Sequence, residues 1–398
     1  VSAVRTRRAG GRAKRRGTVA AVQQALFEVE VRPERRYYRQ IVDALRRSDF
    51  GADGLESELT ISRLFGTIWA GQEGPRDGST EEAFGLGLVD FARHQRTPTA
   101  VAMLRTIATI AAIREVRDAA DQAAEMLTSG GLPDPRWTRP IGAASPGRCW
   151  AYEDVFGDQS TVICEFAYGT ERTAERHAIV IYVDHAMFSV ATDGMLALDV
   201  DPFIRDLRND AKNSAPMFTL RQVDPAWARA LLARAFARTD LIEGVEVAPT
   251  LAELRALSLA RVGVLPEDPA ALPPEPVSPT SAECRALVEE FLAGAEGSAL
   301  PDRAAAERLA NRIVEYSCQY DPGGVSRVSP AKWETFVFDW LSKVGFLPPA
   351  ERTAMPDVVR AWSAWAGRRM ALPGAATDEL AFALDEMLGE YAGGQHLG

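Results

Sequence analysis

Three apolar stripes at helical spacing dominate the C-terminal part of the chain. Cys284, Leu287, Val288, Phe291 and Leu292 fall at i, i+3, i+4, i+7 and i+8. Trp333, Phe336, Val337, Trp340, Leu341 and Val344 repeat that pattern, and Leu380, Leu384, Met387, Leu388 and Tyr391 do so again. Residues three and four apart share one helix face, so each stripe predicts a helix with one buried side. Ser329-Pro330, Pro356 and Thr377 are starts and Gly345 is a stop. With helices near 303–320 and 356–369, residues 281–398 read as a five-helix C-terminal bundle.

The same period runs through residues 18–129, a helical N-terminal region. Thr18 caps a helix over 19–28, Pro33 opens a second, and residues 55–70 carry a third. Ser79 with Glu82 forms a capping box for a helix through His94. Pro98 opens a long stretch to Leu127, broken at most once.

Four prolines and four glycines in residues 130–147 end that region, and the period changes to two. Residues 148–154, 160–168, 177–183 and 187–191 are short, rich in Val, Ile, Phe and Tyr, and separated by Gly- and Asp-bearing turns. They predict an antiparallel meander, with a fifth strand at 217–222. Helices opened by Asp201-Pro202, Asp224-Pro225 and Thr250 cover it, so 130–264 reads as an α+β domain. Residues 265–280 form a Pro-rich linker, stiffened by six prolines. The predicted fold class is α+β, mostly α: a helical N-terminal region, a small antiparallel β-meander flanked by helices, and a C-terminal helical bundle.

Composition changes this picture little. Hydrophobic residues are 46% and charged residues 25%, so most of the chain can order itself around cores. The longest apolar stretch, 99–113, is interrupted by Arg105 and is too short to cross a membrane. The basic N-terminus lacks the apolar run of a secretion signal, because Gln23-Gln24 follow 19–22 at once. Four cysteines without a C-x-x-C pair read as reduced thiols, and the chain is expected to be soluble and cytoplasmic. Abundant Ala and Arg with scarce Lys give it the look of a high-GC bacterial protein.

Charge changes the picture more. Residues 1–47 hold thirteen Lys/Arg against four Asp/Glu, whereas the remainder holds thirty-two against fifty-one. An acidic body repels nucleic acid while a basic arm can hold it. Residues 1–17 have no acids and three glycines and are expected to be a disordered basic tail. Arg5, Arg7, Arg8, Arg12, Lys14, Arg15 and Arg16 there, then Arg35, Arg36 and Arg39 beside Tyr37 and Tyr38, are the candidate nucleic-acid contacts. Guanidinium groups meet phosphates and aromatic rings stack on bases. If the tail alone engaged a single strand, its salt slope would be about −5, at roughly −0.7 per phosphate. The competing reading is a solvated, nonspecific tail.

Catalytic motifs are sparse. The sequence has no G-x-x-x-x-G-K-[ST], H-E-x-x-H or G-x-S-x-G. On the meander, Cys164, His177, Asp184 and His185, with Asp193 at the next turn, offer zinc or iron ligands or a Cys–His nucleophile. His177 and His185 end one strand about 25 Å apart, at roughly 3.3 Å per residue, which opposes a shared ligand. The competing reading is turn-forming or satisfied polar residues. Asp199-Val200-Asp201 matches a cation-binding D-x-D, but Asp201 before Pro202 reads better as a helix cap. Ser329-Pro330-Ala331-Lys332 matches the serine-acylase S-x-x-K without its companion motifs. Trp333, Phe336 and Trp340, with Trp362 and Trp365, read as core, and Cys284 and Cys318 as small buried hydrophobes.

Arg312-Ile313-Val314-Glu315-Tyr316, Val328-Ser329-Pro330 with Asp339-Trp340-Leu341, and Val359-Arg360-Ala361-Trp362 resemble the C-terminal helical region of uncharacterised proteins from high-GC Gram-positive bacteria. Cys149-Trp150, His177-Ala178-Ile179-Val180 and Val183-Asp184-His185 are similar to the same proteins. The resemblance covers about half the chain and implies no activity, so no functional residue transfers from it. The leading expectation is a non-enzymatic adaptor or scaffold with a protein partner, no membrane contact and no cofactor or metal. The alternatives are a nucleic-acid-associated protein using the basic arm and a metal- or Cys/His-dependent enzyme on the central sheet.

Overall fold

The computed structural model describes residues 35–394 except 49, 52, 73, 75, 136–143, 170–174, 187, 273–276, 322–323 and 345–346. The tail over 1–17, the helix over 19–28 and the start at Pro33 lie outside the described residues. Among these residues the fold is α+β and mostly α, as expected. The chain runs α1 (Arg35–Arg47), α2 (Gly54–Ala70), α3 (Ser79–Arg93), α4 (Pro98–Ile110) and α5 (Arg114–Ser129). Strands β1 (Ala144–Asp154), β2 (Gln159–Tyr168), β3 (Arg176–Asp184) and β4 (Val190–Ala197) follow. Then come α6 (Val200–Asn213), β5 (Phe218–Val223), α7 (Pro225–Leu241) and α8 (Pro249–Val264). The last part holds α9 (Ser281–Ala293), α10 (Ala295–Ser298), α11 (Arg303–Tyr320), α12 (residues 330–344), α13 (Pro349–Arg369) and α14 (Gly374–Gly394).

Several starts follow from side chains that satisfy free helix amides. Asp53 accepts from Glu56 N at 2.9 Å, Thr97 from Ala100 N at 3.2 Å, and Thr280 forms a capping box with Glu283. Other caps differ from expectation. Ser79 is the first helical residue, not the cap; Gly78 precedes it at φ 82, and Asp77 accepts from Ser79 N and Oγ. Asp201 lies inside the first turn of α6 and is held by Arg148 and Arg176, so its carboxylate serves ion pairs and no cap. Pro356 sits within α13, which starts a full two turns earlier at Pro349. The stretch opened by Pro98 breaks after Ile110, where Arg117 Nη1 donates to the freed carbonyls of Ala111 and Ala112.

The chain forms two compact units, neither continuous in sequence. One comprises Val1–Ser145, Phe166–Glu175 and Ala248–Val264, and brings α8 against α2. Sequence placed α8 with the sheet; its partner is instead a helix about 190 residues earlier, identified by hydrogen bonds. Ser62 Oγ on α2 donates to Glu253 O at 2.8 Å and accepts from Leu257 N at 3.1 Å, a sequence separation of 195. Gly66 makes this approach possible, since a Cβ there would overlap the Ala252 carbonyl. The interface buries charge as well. Glu58 is fully buried and binds Arg261 and the Tyr168 hydroxyl, and Glu81 meets Arg255 at 3.1 Å beneath Trp69.

The second unit holds Pro146–Glu165, Arg176–Val247 and Leu265–Gly398. Its sheet has the order β4-β3-β2-β1-β5, with β5 antiparallel to β1 and Cys149 opposite Val223. The fourth strand lies later than the predicted 187–191. Phe188 and Ser189 take left-handed φ values of 62 and 55 and make the turn, while Asp193-Gly194, which resembles a turn, pairs with Tyr182 and Ile181. Thr239 on α7 closes the β4 edge, accepting from Ala191 N and donating to Ala191 O.

Helices α9–α14 bury Phe291, Trp333, Phe336, Trp340, Trp362 and Trp365 in one cluster, joined by Phe156 from the β1–β2 turn. The aromatic stripe is therefore core, as its spacing predicts. Its last member departs: Val344 is 43% exposed. Within α12 a π turn, Thr335–Trp340, separates Pro330–Glu334 from Leu341–Val344. A π turn holds more residues than an α turn and carries the stripe out of phase. Among the described residues no helix is long and apolar enough to cross a membrane.

Candidate functional site

The residues singled out on the meander do not converge. Cys164 is fully buried and shares a hydrogen bond with Cys149; that contact and burial push its thiol well up. His177 is fully buried on β3. His185 lies beyond the other end of that strand, its Nε2 2.8 Å from Ser160 Oγ and its Nδ1 3.0 Å from Ser189 Oγ. Burial, and then the Arg327 charge, pull its pKa down, so it is a neutral ring held by two hydroxyls. Asp184 ends β3 opposite Val190, and Asp193 lies within β4. Among the described residues no three His, Cys, Asp or Glu side chains are placed to hold a metal ion.

Beside His185 lies a polar node that the sequence marks only in part. Ser329 caps α12, accepting from Lys332 N at 3.0 Å, and its hydroxyl donates to Asp158 Oδ1 at 2.8 Å. Arg327 binds the same carboxylate and also donates to Asp321 Oδ2 at 2.8 Å. Lys332 Nζ donates to Asp321 Oδ2 at 3.1 Å and to Gly324 O at 2.7 Å. Burial lowers the Lys332 pKa to about 8, against the pull of Asp321. Two carboxylates thus face two cations. The S-x-x-K spacing is present, but Lys332 Nζ is bonded to Asp321 and Gly324, and Ser329 is fully buried. This node fastens the β1–β2 turn to α12 and presents no nucleophile.

The basic helix α1 exposes Arg35, Arg36 and Arg39. The neighbouring rings face the other way: Tyr38 is 5% exposed and packs 5.9 Å from Phe84, and Tyr37 lies 6.1 Å from the same ring. Burial and the Tyr38 charge push the Tyr37 phenol up to about 12. So the exposed face of α1 carries its arginines, whereas Tyr38 is buried against Phe84 and Tyr37 is half-buried. Arg5, Arg7, Arg8, Arg12, Lys14, Arg15 and Arg16 lie outside the described residues.

A different feature emerges between α12 and α14. A groove of about 190 Å³ is floored by Trp333, Phe338, Leu384 and Met387 and rimmed by Glu334, Glu386 and Glu390. Trp333 and Leu384 belong to the core, so the floor is rigid, whereas Phe338 is 39% exposed. Phe382, 62% exposed, lies one turn before Glu386 on α14. All three rim glutamates are exposed, and none makes an ion pair with a described residue. Small-molecule sites enclose roughly 300–1,000 Å³, so a groove this size suits one or two apolar side chains. Phe338, an aromatic residue off the α12 stripe, and glutamates flanking two stripes were its visible traces in sequence. The pairing of α12 with α14 was not visible.

Comparison with known proteins finds no matching family model, no matching curated protein and no matching solved structure.

Proposed function

We propose that this chain is a non-enzymatic adaptor or scaffold whose C-terminal bundle docks a basic amphipathic helix of a partner protein. One observation carries the reading: an apolar groove with a rigid aromatic floor, rimmed by three carboxylates that lack partners among the described residues. An amphipathic helix can seat one or two residues of its apolar stripe in a groove of this size, and flanking Lys or Arg match the acidic rim. Several polar residues of the central sheet are absorbed by hydrogen bonds or burial, which supports binding over chemistry.

The test is fluorescence anisotropy with a labelled Leu/Lys amphipathic helix and the full chain. Expected is saturable binding that weakens with salt and falls at least about tenfold in the Glu334→Lys/Glu386→Lys/Glu390→Lys variant, whose changes are all exposed. Absence of binding, or binding indifferent to the charge reversal, overturns the proposal. Self-association seen by light scattering and abolished by the same variant would instead assign the groove to a second copy of the chain.

A second reading, nucleic-acid association, draws on the exposed Arg35, Arg36 and Arg39 face. Gel shifts at 50 and 200 mM salt, with and without residues 1–17, test it; mobility unchanged by the deletion removes the tail from the account.

A further inference from the structure

Cys284 and Cys318 are separated by thirty-four positions, yet their sulfurs lie 3.5 Å apart. They stand on α9 and α11, which pack directly against each other, and both are free and half-buried. The other two cysteines, Cys149 and Cys164, are a buried pair on β1 and β2. We infer that Cys284 and Cys318 form a modification site, a thiol pair that low-molecular-weight disulfides of the glutathione class oxidise to an internal disulfide joining α9 to α11.

The geometry assigns distinct parts to the two sulfurs. A disulfide needs sulfurs about 2.05 Å apart, so side-chain rotation with a small adjustment of two packed helices closes the gap. Cys284 sits in the first turn of α9, a helix of thirteen residues. Among the described residues its thiol otherwise reaches the Pro279 carbonyl, at 3.8 Å. Cys318 keeps its proton at neutral pH, because burial and the hydrogen bond with Cys284 push it up to about 11. Cys284 is therefore the attacking thiol and Cys318 the resolving one.

Cys284 gives its proton to solvent and attacks one sulfur of the small disulfide. That S–S bond breaks, the first small thiolate leaves and takes up a proton, and a mixed disulfide remains on Cys284. Cys318 then loses its proton and attacks Cys284 Sγ. The mixed S–S bond breaks, and the second small thiolate leaves and is protonated. Two protein thiols are oxidised by two electrons and one small disulfide is reduced to two thiols. The reaction is independent of the groove and stands if the docking proposal fails.

The experiment exposes the full chain to excess oxidised glutathione, followed by thiol titration and non-reducing peptide mapping. Expected is the loss of two of the four thiols, a crosslink joining the peptides of Cys284 and Cys318, and full reversal by dithiothreitol. Cys318→Ser should trap glutathione on Cys284, and Cys284→Ser should slow modification of Cys318 at least about tenfold. Near-ultraviolet circular dichroism checks that both variants are folded. The inference is overturned by mixed disulfides without the crosslink, by unreacted thiols at both positions, or by equal reaction of Cys149 and Cys164.

Discussion

Lys332 illustrates how a buried residue makes stability depend on pH. The residue is 5% exposed, and burial brings its pKa from 10.5 to about 8. The unfolded chain holds that proton up to 10.5 and the folded chain releases it near 8, so stability rises with pH between these values. The contribution is complete above 10.5 and is lost as pH falls through about 8. The shift corresponds to about 3 kcal/mol. In Lys332→Met, Asp321 keeps Arg327 and this rise disappears. Urea unfolding of both proteins at pH 7.5 and 9.5 should show the difference; parallel curves would refute it. The cap at Ser329 was legible from Ser-Pro alone. The Asp158 carboxylate it meets was not, because the two lie 171 positions apart and neither neighbourhood hints at the other.

Elements with a strong period were the most legible. The α9 and α14 stripes point inward as read, because burial of an apolar face decides helix orientation. Where local chemistry imitated another element, the reading slipped: Asp193-Gly194 looks like a turn but is paired strand, and Pro356 looks like a start but lies inside a helix. The α2–α8 contact left a trace only in Gly66, whose meaning depends on the Ala252 backbone. Gly66→Ala is expected to lose about 3 kcal/mol or more by forcing the helices apart. Gly263→Ala, on α8 with open space around it, should instead gain up to about 1 kcal/mol through helix propensity. Thermal melts of the two variants check this pair, and equal shifts would remove the close-approach argument.

At the scale of the molecule, the two units are interleaved along the chain, which the sequence did not reveal because prolines in 265–280 mark a break in composition only. Residues 1–145 carry five of the described helices yet lack α8, Arg261 and Tyr168, the groups that neutralise and cover Glu58. Leaving a buried charge without its partner costs about 3–5 kcal/mol, so the fragment 1–145 is expected to melt without cooperativity. Joining residues 248–264 to it through a Gly/Ser linker should restore a transition visible by calorimetry; a sharp melt of the fragment alone would contradict this. The interleaving also sets a schedule at the ribosome. At about 5–20 residues per second, roughly 6–24 s separate the synthesis of Ser145 from that of Val264. The helices born first therefore wait for their last companion, and for that interval their apolar sides are what a nascent-chain chaperone meets.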